Sequence, residues 1–254
     1  MTQHTPPAAE ALAVLYQDEQ LVAINKPAGL LVHRSPIDRR ETRFALQLLR
    51  DQLGKRVYPL HRLDKPTSGV LLFALDSNTA RQVASQFEQR RVNKDYLAIV
   101  RGYCPEQGEI DHPIRDDPDP LLGQDRGPPR DALTHFQRLA SIELPEAVDR
   151  YPTARYSLVR LHPLSGRKHQ LRRHMKHIGH PIIGDAKHGK GVHNRFFASQ
   201  LQAGRLLLHC HGLQLNHPAT GEPLLLHAPL DDVFQGLIER FGWTVALNAA
   251  RGMS

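Results

Sequence analysis

The apolar segments of this sequence are short, and many of them are joined by connections too short to contain a helix. The longest uninterrupted apolar run, residues 69–75, has the length of a buried strand and falls well below the roughly 18 residues that a membrane span needs. Short connections favour antiparallel neighbours, because a parallel pair needs a long crossover. The sequence therefore predicts an α+β fold with a mixed, mostly antiparallel sheet flanked by helices. The strand candidates are residues 12–16, 21–25, 70–75, 96–100, 135–142, 156–161, 205–209 and 224–227.

Four segments carry apolar residues at the spacing of a helix. One of them, residues 42–53, stops at Gly54, and glycine is common just after a helix. Another begins with the capping side chains of residues 76–78 and runs through Arg90. The remaining two are residues 168–178 and 231–241.

Composition along the chain predicts one folded domain over residues 11–245. Residues 1–10 read as a short disordered leader, and residues 246–254 as a C-terminal tail. Residues 104–131 are rich in Pro, Gly and Asp, so we expect them to form a surface loop or crossover insertion within the domain.

Positive charge is concentrated in one part of the chain. Lys and Arg number 33 against 26 Asp and Glu, a net charge of +7, and no acidic residue occurs between Asp149 and Asp185. Because a solvated helix face usually mixes both signs, we expect this window to line a central basic cleft that binds a polyanion. An ordinary solvated basic face is the alternative. The cations of the window are Arg150, Arg155, Arg160, Arg167, Lys168, Arg172, Arg173 and Lys176.

The two cysteines, Cys104 and Cys210, are too few for a disulfide framework. The first ten residues also lack the basic segment and long apolar segment of a secretion signal. We therefore expect a cytoplasmic protein without membrane contact.

The densest group of reactive side chains is the sequence HRLDKPTSG at residues 61–69. Its carboxylate, Asp64, stands among His61, Arg62 and Lys65, and nearby positive charge would hold it ionised. A polar loop anchored on a rigid strand is a common place for catalytic groups. The alternative is a turn in which Asp64 bonds only to its own backbone.

This segment resembles the signature H-R-L-D-x-x-T-S-G of the RluA-type pseudouridine synthases, in which the aspartate is essential. Further segments resemble motifs of that family, in the same order along the chain. They are NKPAG at residues 25–29, NKDYLA at 93–98, GRKHQLR at 166–172 and HPIIGD at 180–185. The resemblance implies that the predicted domain is a single pseudouridine synthase catalytic domain.

The family resemblance implies an isomerase that breaks the C1′–N1 bond of a uridine in RNA, rotates the base and reattaches it through C5. No cofactor is implied, because the reaction involves no net redox change and no energy input. Asp64 would be the essential carboxylate, as nucleophile or as base. Tyr96 would stack on the uracil and help to move the proton at C5, and Arg172 would pair with Asp64. From the residues alone, Tyr96 could equally be a core side chain and Arg172 a phosphate contact.

The resemblance also implies that the target base is flipped out of its stem, at a cost of roughly a few kcal/mol. Arg62 is expected to fill the vacated position, because a guanidinium group both stacks on bases and bonds to them. Arg167 and Lys168 are expected to contact phosphates. His61 and Arg173 complete the predicted RNA-binding residues.

Within the family, residues 31–35, 38–39, 86–89 and 150–156 resemble a bacterial subgroup that modifies uridine 65 of tRNA. We therefore expect a protein that acts on tRNA, with ribosomal RNA as the alternative substrate. Separately, we expect the protein to be a monomer. Several ribosomal RNA relatives carry an N-terminal S4-type module. The first core strand begins near Leu12 and leaves no room for one, so no S4 domain is expected.

The sequence contains 16 histidines, several of them clustered near the basic window. His174 and His177 have i, i+3 spacing, but no acidic residue lies between them, so the pattern of a zinc hydrolase is missing. We expect no metal site and no nucleotide cofactor, and interpret the histidines as RNA-facing or core residues. A metal-dependent hydrolase and a non-catalytic RNA chaperone are the alternative functions.

Overall fold

A ten-stranded sheet lies at the centre of the computed structural model, which describes residues 11–34, 41–115 and 127–251. The strands are β1 (Val14–Gln17), β2 (Leu21–Lys26), β3 (Tyr58–Pro59), β4 (Ser68–Ala74), β5 (Asn93–Arg101), β6 (Gln107–Asp111), β7 (Leu133–Leu144), β8 (Ala154–Pro163), β9 (Leu208–Asn216) and β10 (Pro223–His227). The helices are α1 (Ala45–Leu53), α2 (Ser77–Glu88), α3 (Gln170–His177), α4 (Gly191–Gln200), α5 (Asp232–Arg240) and α6 (Thr244–Arg251).

Neighbouring strands follow the order β1-β2-β4-β9-β5-β8-β7-β6, with β3 added beside β4 and β10 beside β9. Among the described strands, every pairing is antiparallel except that of β4 with β9. The predicted α+β fold with a mostly antiparallel sheet is thereby confirmed. Because β9 pairs with both β4 and β5, the loop that precedes β4 comes close to the side chains of β5.

Strand β4 is buried along its whole length, as its uninterrupted apolar sequence predicts. Gly69 near its start has a φ of 111°, and a Cβ atom there would collide with the carbonyl oxygen of Cys210 on β9. Only glycine allows the two strands to approach so closely with this backbone conformation. The loop that carries Asp64 therefore ends on a closely packed part of the sheet.

Strand β5 contributes to two hydrophobic clusters, one on each side of the sheet. Tyr96, Ala98 and Val100 belong to the larger cluster, which also includes residues of α1, α2 and α3. Leu97 and Ile99 belong to the second cluster, with residues of α4, α5 and α6. This division follows from the alternation of side chains along a strand. Packing on both sides holds the backbone of β5 at Tyr96 in place.

The four predicted helices are confirmed as α1, α2, α3 and α5 with slightly shorter bounds. The cap of α2 is the predicted one, because the Asp76 carboxylate accepts hydrogen bonds from the backbone N–H groups of Asn78 and Thr79. Helix α1 begins only at Ala45, where Phe44 is still extended and provides no capping side chain.

Five elements differ clearly from the sequence prediction, and the first is the two-residue strand β3, which is not among the predicted strands. Within residues 104–131, β6 pairs with β7, but it is an almost fully exposed edge strand without apolar alternation. Strand β9 begins at Leu208 rather than at residue 205 and continues to Asn216, because its buried positions include histidine and cysteine, which hide the apolar pattern. Helix α4 buries only His193 and Phe197 and so has little apolar periodicity. Helix α6 occupies most of the predicted tail and inserts Leu247 into the second cluster.

No helix in the described ranges is both long enough and apolar enough to cross a membrane. The predicted leader, residues 1–10, lies outside the described residues, as do residues 116–126 of the predicted insertion.

Candidate active site

Asp64 lies in a tight loop between β3 and β4, and hydrogen bonds from the rest of the protein hold the backbone of this loop in place. The backbone N–H of Thr67 donates to the carbonyl oxygen of Asp64 over 3.0 Å, and that of Gly29 donates to the carbonyl oxygen of Lys65 over 2.8 Å. The Nζ atom of Lys26 donates to the same Lys65 oxygen over 3.2 Å. The end of β2 and the turn that follows it therefore hold the backbone at Lys65, the residue after Asp64.

Lys26 is fully buried, and its ammonium group lies among backbone carbonyl groups. Besides the bond to Lys65, Nζ donates to the carbonyl oxygens of Pro27 over 2.9 Å and Leu30 over 2.8 Å. Burial lowers the pKa of Lys26 to about 7, although the neighbouring Asp64 opposes the shift. When protonated, Lys26 places a positive charge behind the Asp64 loop that attracts the carboxylate.

Arg172 binds two carboxylates at once. Its Nη1 atom donates to Oδ2 of Asp64 over 3.0 Å, while Nε and Nη2 donate to Oδ2 and Oδ1 of Asp185 over 2.7 and 2.8 Å. Burial disfavours the charge of Arg172, but the bonds to Asp185 and then to Asp64 raise its pKa above the ordinary value. The structure thus places Arg172 beside Asp64, as the resemblance implies, and the catalytic role of the pair stays a prediction.

The two oxygens of the Asp64 carboxylate have different surroundings. Oδ2 accepts from Arg172 and also lies 3.8 Å from Nε2 of His169. No residue in the described part of the chain forms a hydrogen bond with Oδ1. Asp64 lines an open cavity, and Oδ1 is its carboxylate oxygen without a hydrogen-bond partner among the described residues.

His169 adopts a backbone conformation that is uncommon for residues other than glycine. Its φ of 55° and ψ of 27° lie in the left-handed region, directly before α3. Burial lowers the pKa of His169 to about 4, with Asp64 opposing the shift, so its imidazole is neutral at neutral pH. Strained backbone of this kind often occurs at functional sites.

The cavity beside Asp64 has a volume of about 710 Å³, which suits a small ligand or a nucleotide. Tyr96 on β5 forms part of its wall and is 8 % exposed. Burial, and then the neighbouring Cys210 and Asp64, raise the pKa of Tyr96 well above its ordinary value. The phenol therefore keeps its proton at neutral pH. The cavity thus brings Asp64, Tyr96 and Arg172 together.

Cations surround the cavity. Arg62 is exposed and forms no side-chain hydrogen bond or ion pair with the described residues, so its guanidinium is available to a ligand. Arg167 and Lys168 also line the cavity, and Arg167 donates from Nε to a backbone carbonyl over 3.1 Å. Arg173 lies outside the cavity wall and donates to the carbonyl oxygen of Arg115. Further cations on the wall are Arg90, Lys94 and Arg130.

His61 lines the cavity but is engaged with the protein. Its Nε2 atom accepts a hydrogen bond of 3.1 Å from the backbone N–H of Leu72, and its ring stacks on Phe87 with a centroid distance of 5.5 Å. Burial, and then the charge of Lys94, lower the pKa of His61 to about 4, so the ring is neutral at neutral pH. The contact with RNA predicted for His61 stays a prediction.

Four residues near the cavity received no role from the sequence, namely Lys26, Lys94, His169 and Asp185. All four lie inside the segments that resemble family motifs, which is the signal that could have identified them. Asp185 also ends the stretch without acidic residues that begins after Asp149. Lys94 donates to the carbonyl oxygen of Ser165, and burial lowers its pKa to about 8.

The described residues contain no group of three or more His, Cys, Asp or Glu side chains that could hold a metal ion. His174 is buried and hydrogen-bonds with Thr134 and with the carbonyl oxygen of His112, while His112 stacks on His177 at 3.8 Å. Both cysteines are buried and free.

Comparison with known proteins points to one class of enzyme. Residues 20–177 match the model of the RNA pseudouridylate synthase family. The structure is similar to human RNA pseudouridylate synthase domain containing 4, with a TM-score of 0.67, 30 % identity, and coverage of 90 % of this chain and 92 % of that chain. For human RNA pseudouridylate synthase domain containing 1, the TM-score is 0.66 at 27 % identity, covering 89 % of this chain and 86 % of that one. The chain belongs to the RNA pseudouridylate synthase family.

Among curated sequences, the chain is similar to bacterial proteins named tRNA pseudouridine synthase C. It is 52 % identical to the Yersinia pestis protein, over 92 % of either chain. It is 51 % identical to the Pectobacterium carotovorum protein, over 95 % of this chain but 65 % of that protein, so the chain spans less than two thirds of the latter.

Proposed function

We propose that this protein is a tRNA pseudouridine synthase, an isomerase that converts one uridine of tRNA into pseudouridine. The observation that carries the proposal is the carboxylate of Asp64, which lines a cation-rich cavity, is held on one oxygen by Arg172 and has no hydrogen-bond partner on the other among the described residues. The names of the relatives support tRNA as the substrate. The resemblance of residues 31–35, 38–39, 86–89 and 150–156 to a bacterial subgroup that modifies uridine 65 supports position 65 as the target.

The proposed reaction breaks the C1′–N1 bond, rotates the uracil and forms a bond between C1′ and C5. The proton on C5 is then lost to a base and N1 takes up a proton, so the product is an isomer of the substrate. Asp64 acts through Oδ1, either as a nucleophile or as the base that removes a proton from the sugar. Arg172 holds Oδ2 and keeps the carboxylate in one orientation. The atoms balance without a redox partner, a nucleotide or a metal, and we propose that none is needed.

Tyr96 supports this chemistry by its position and its protonation state. It is buried in the cavity wall, where a flat ring can stack on uracil. Because its raised pKa keeps the phenol protonated, Tyr96 donates a hydrogen bond or a proton rather than acting as a phenolate base.

The target base has to leave its stem before it can enter the cavity. Arg62 is exposed at the cavity, and we propose that its guanidinium occupies the position in the RNA stem that the flipped base has left. Arg167, Lys168 and Arg173 bind phosphates of the flanking backbone. His61 is part of the cavity wall beside them. The surrounding cations favour a polyanionic substrate. We further propose that the protein acts as a cytoplasmic monomer.

The test is to map pseudouridines by chemical labelling in RNA from cells with and without the gene, and in tRNA treated with the purified protein. We expect one tRNA uridine, at position 65, to remain unmodified in cells without the gene. Loss of a ribosomal RNA pseudouridine instead would support the alternative substrate. If no pseudouridine changes and the purified protein releases no tritium from RNA labelled at C5, the proposed activity is wrong.

A further inference from the structure

We propose that Asp185 is a positioning residue for catalysis: it orients Arg172 and His169 so that both face one oxygen of Asp64 and leave the other free to react. This inference rests on the proposed pseudouridine synthase function. Asp185 lies far from the signature loop in the sequence, but its contacts connect it with Arg172 and with the loop that carries His188.

The first contact is a two-point bond with Arg172. Asp185 binds Nε and Nη2 over 2.7 and 2.8 Å, so the guanidinium plane is fixed on one edge. Nη1 then extends from the fixed plane and meets Oδ2 of Asp64 at 3.0 Å. Without Asp185, Arg172 would be free to turn and bind both oxygens of Asp64, which is the geometry that carboxylates and guanidinium groups favour. Asp185 therefore restricts Arg172 to a single bond with Asp64.

The second contact runs through the loop after Asp185. Its Oδ1 atom accepts hydrogen bonds from the backbone N–H groups of Lys187 and His188, each over 2.9 Å. The ring of His188 in turn hydrogen-bonds with Nδ1 of His169 over 3.1 Å. Oδ2 of Asp64 lies 3.8 Å from Nε2 of His169, and this anionic oxygen favours a proton on Nε2. A neutral His169 with its proton on Nε2 accepts the bond from His188 at Nδ1. Both neighbours of Oδ2 thus depend on the same carboxylate.

The position of Asp185 is itself well defined. It is 1 % exposed, and the preceding Gly184 has a φ of 78°, where a Cβ atom would collide with the carbonyl oxygen of Arg205. Burial alone would raise the pKa of Asp185, but the bonds from Arg172 and from the backbone of His188 hold it below the ordinary value. A buried, ionised carboxylate with four donors is a rigid support for the Asp64 site.

A purely structural ion pair that attaches α3 to the loop at residues 184–188 is the competing explanation. The two explanations differ in how Asp185 and Arg172 should interact in catalysis. If Asp185 acts through Arg172, its loss should matter little once Arg172 is already absent. If the pair only stabilises the fold, a folded Asp185 variant should turn over at the wild-type rate, and only its free energy of unfolding should fall.

The experiment uses the full chain and tRNA labelled with tritium at uracil C5, and measures single-turnover rates at saturating tRNA. We expect Asp185→Asn to lower the rate roughly 100-fold, the scale of a misplacement of about 1 Å, while the dissociation constant for tRNA changes less than about threefold. We expect Asp185→Asn added to Arg172→Ala to lower the rate by no more than about threefold further. Asp149→Asn, which removes a carboxylate paired with Lys190, is the control and should leave the rate unchanged.

Asp185→Glu keeps the negative charge and is the variant to measure if Asp185→Asn does not fold. Its longer side chain shifts Arg172, so we expect an intermediate rate with unchanged tRNA affinity. Rates equal to wild type for either folded Asp185 variant, or multiplicative losses in the double variant, would overturn the inference. Each of these outcomes requires that the wild type forms pseudouridine, so failure of the proposed function shows separately as an inactive wild type.

Discussion

The Nη1 atom of Arg172 donates a hydrogen bond of 3.0 Å to Oδ2 of Asp64, although the two residues are separated by 108 positions in the sequence. The bond connects the start of α3 to the loop before β4, across one wall of the cavity. It determines which carboxylate oxygen remains available.

Replacing Arg172 with Ala should reduce single-turnover chemistry at saturating tRNA by roughly 100-fold or more, because Asp64 loses its orienting partner and Asp185 is left as an unpaired buried charge. The salt dependence of tRNA affinity should change little, since the guanidinium is already neutralised by two carboxylates. Filter-binding slopes and tritium release on one tRNA measure both quantities. Normal chemistry with a reduced salt slope would instead make Arg172 a phosphate contact.

Replacing Asp64 with Asn should abolish isomerisation and leave tRNA binding within about tenfold, because the amide keeps the shape of the carboxylate but is neither nucleophilic nor basic. Tritium release by the purified variant, expressed without wild-type enzyme, is the measurement. Appreciable turnover of that variant would refute the assignment of Asp64.

Replacing Arg167 and Lys168 together with Ala should weaken tRNA binding at all sequences. The slope of log affinity against log salt should fall by about one unit for each phosphate that the variant no longer neutralises. The rate at saturating tRNA should fall much less than in Arg172→Ala. Arg50→Ala, an exposed arginine of α1 paired with Asp51, is the matched control and should keep the wild-type slope. An unchanged slope in the double variant would exclude phosphate binding by these two residues.

Replacing His61 with Ala should lower the free energy of unfolding by about 1–3 kcal/mol, because the backbone N–H of Leu72 loses its acceptor. Denaturant unfolding measures this effect, and tRNA affinity of the folded variant shows whether the ring also touches RNA. Wild-type stability with weakened binding would mean that His61 acts mainly as the RNA contact predicted from the sequence.

The stability of the protein should decrease as the pH falls from about 7 to about 5, and His209 should contribute to this decrease. His209 is fully buried and hydrogen-bonded with Ser68, and burial lowers its pKa from 6.5 to about 4. The unfolded state therefore binds a proton in this range that the folded state does not. Its contribution is complete above pH 6.5 and is lost as the pH falls towards 4.

His209→Gln keeps a donor for the carbonyl oxygen of Ala228 but does not titrate. Denaturant unfolding at several pH values should therefore show a pH slope smaller by up to about 1.4 kcal/mol per pH unit in this variant. An identical slope in both proteins would show that His209 takes up its proton over the same pH range in the folded and unfolded states.

Strand β4, the four predicted helices and the motif segments could be located from the sequence because each depends on local spacing. A buried strand can be predicted from an uninterrupted apolar run of its length, and the start of a helix can be predicted from an aspartate at the capping position. Strand β9 extends beyond its predicted end because histidine and cysteine occupy buried positions there, and burial of a polar residue depends on partners elsewhere in the chain. Edge strand β6 was missed since exposure removes the alternation by which strands are recognised.

The sequence by itself determined the mostly antiparallel α+β fold, the family of the chain, and the segments that form the cavity, because these follow from residue order and short-range pattern. Only the tertiary structure decided that Asp185 holds Arg172, that Lys26 is buried behind the Asp64 loop, and that His61 accepts a bond from the protein's own backbone. Each of these contacts depends on which side chains are buried, and on which hydrogen-bonding partners lie beside them, after distant segments of the chain pack together. The spacing of residues along the chain predicts neither the desolvation of a side chain nor its pairing with a residue from a distant segment.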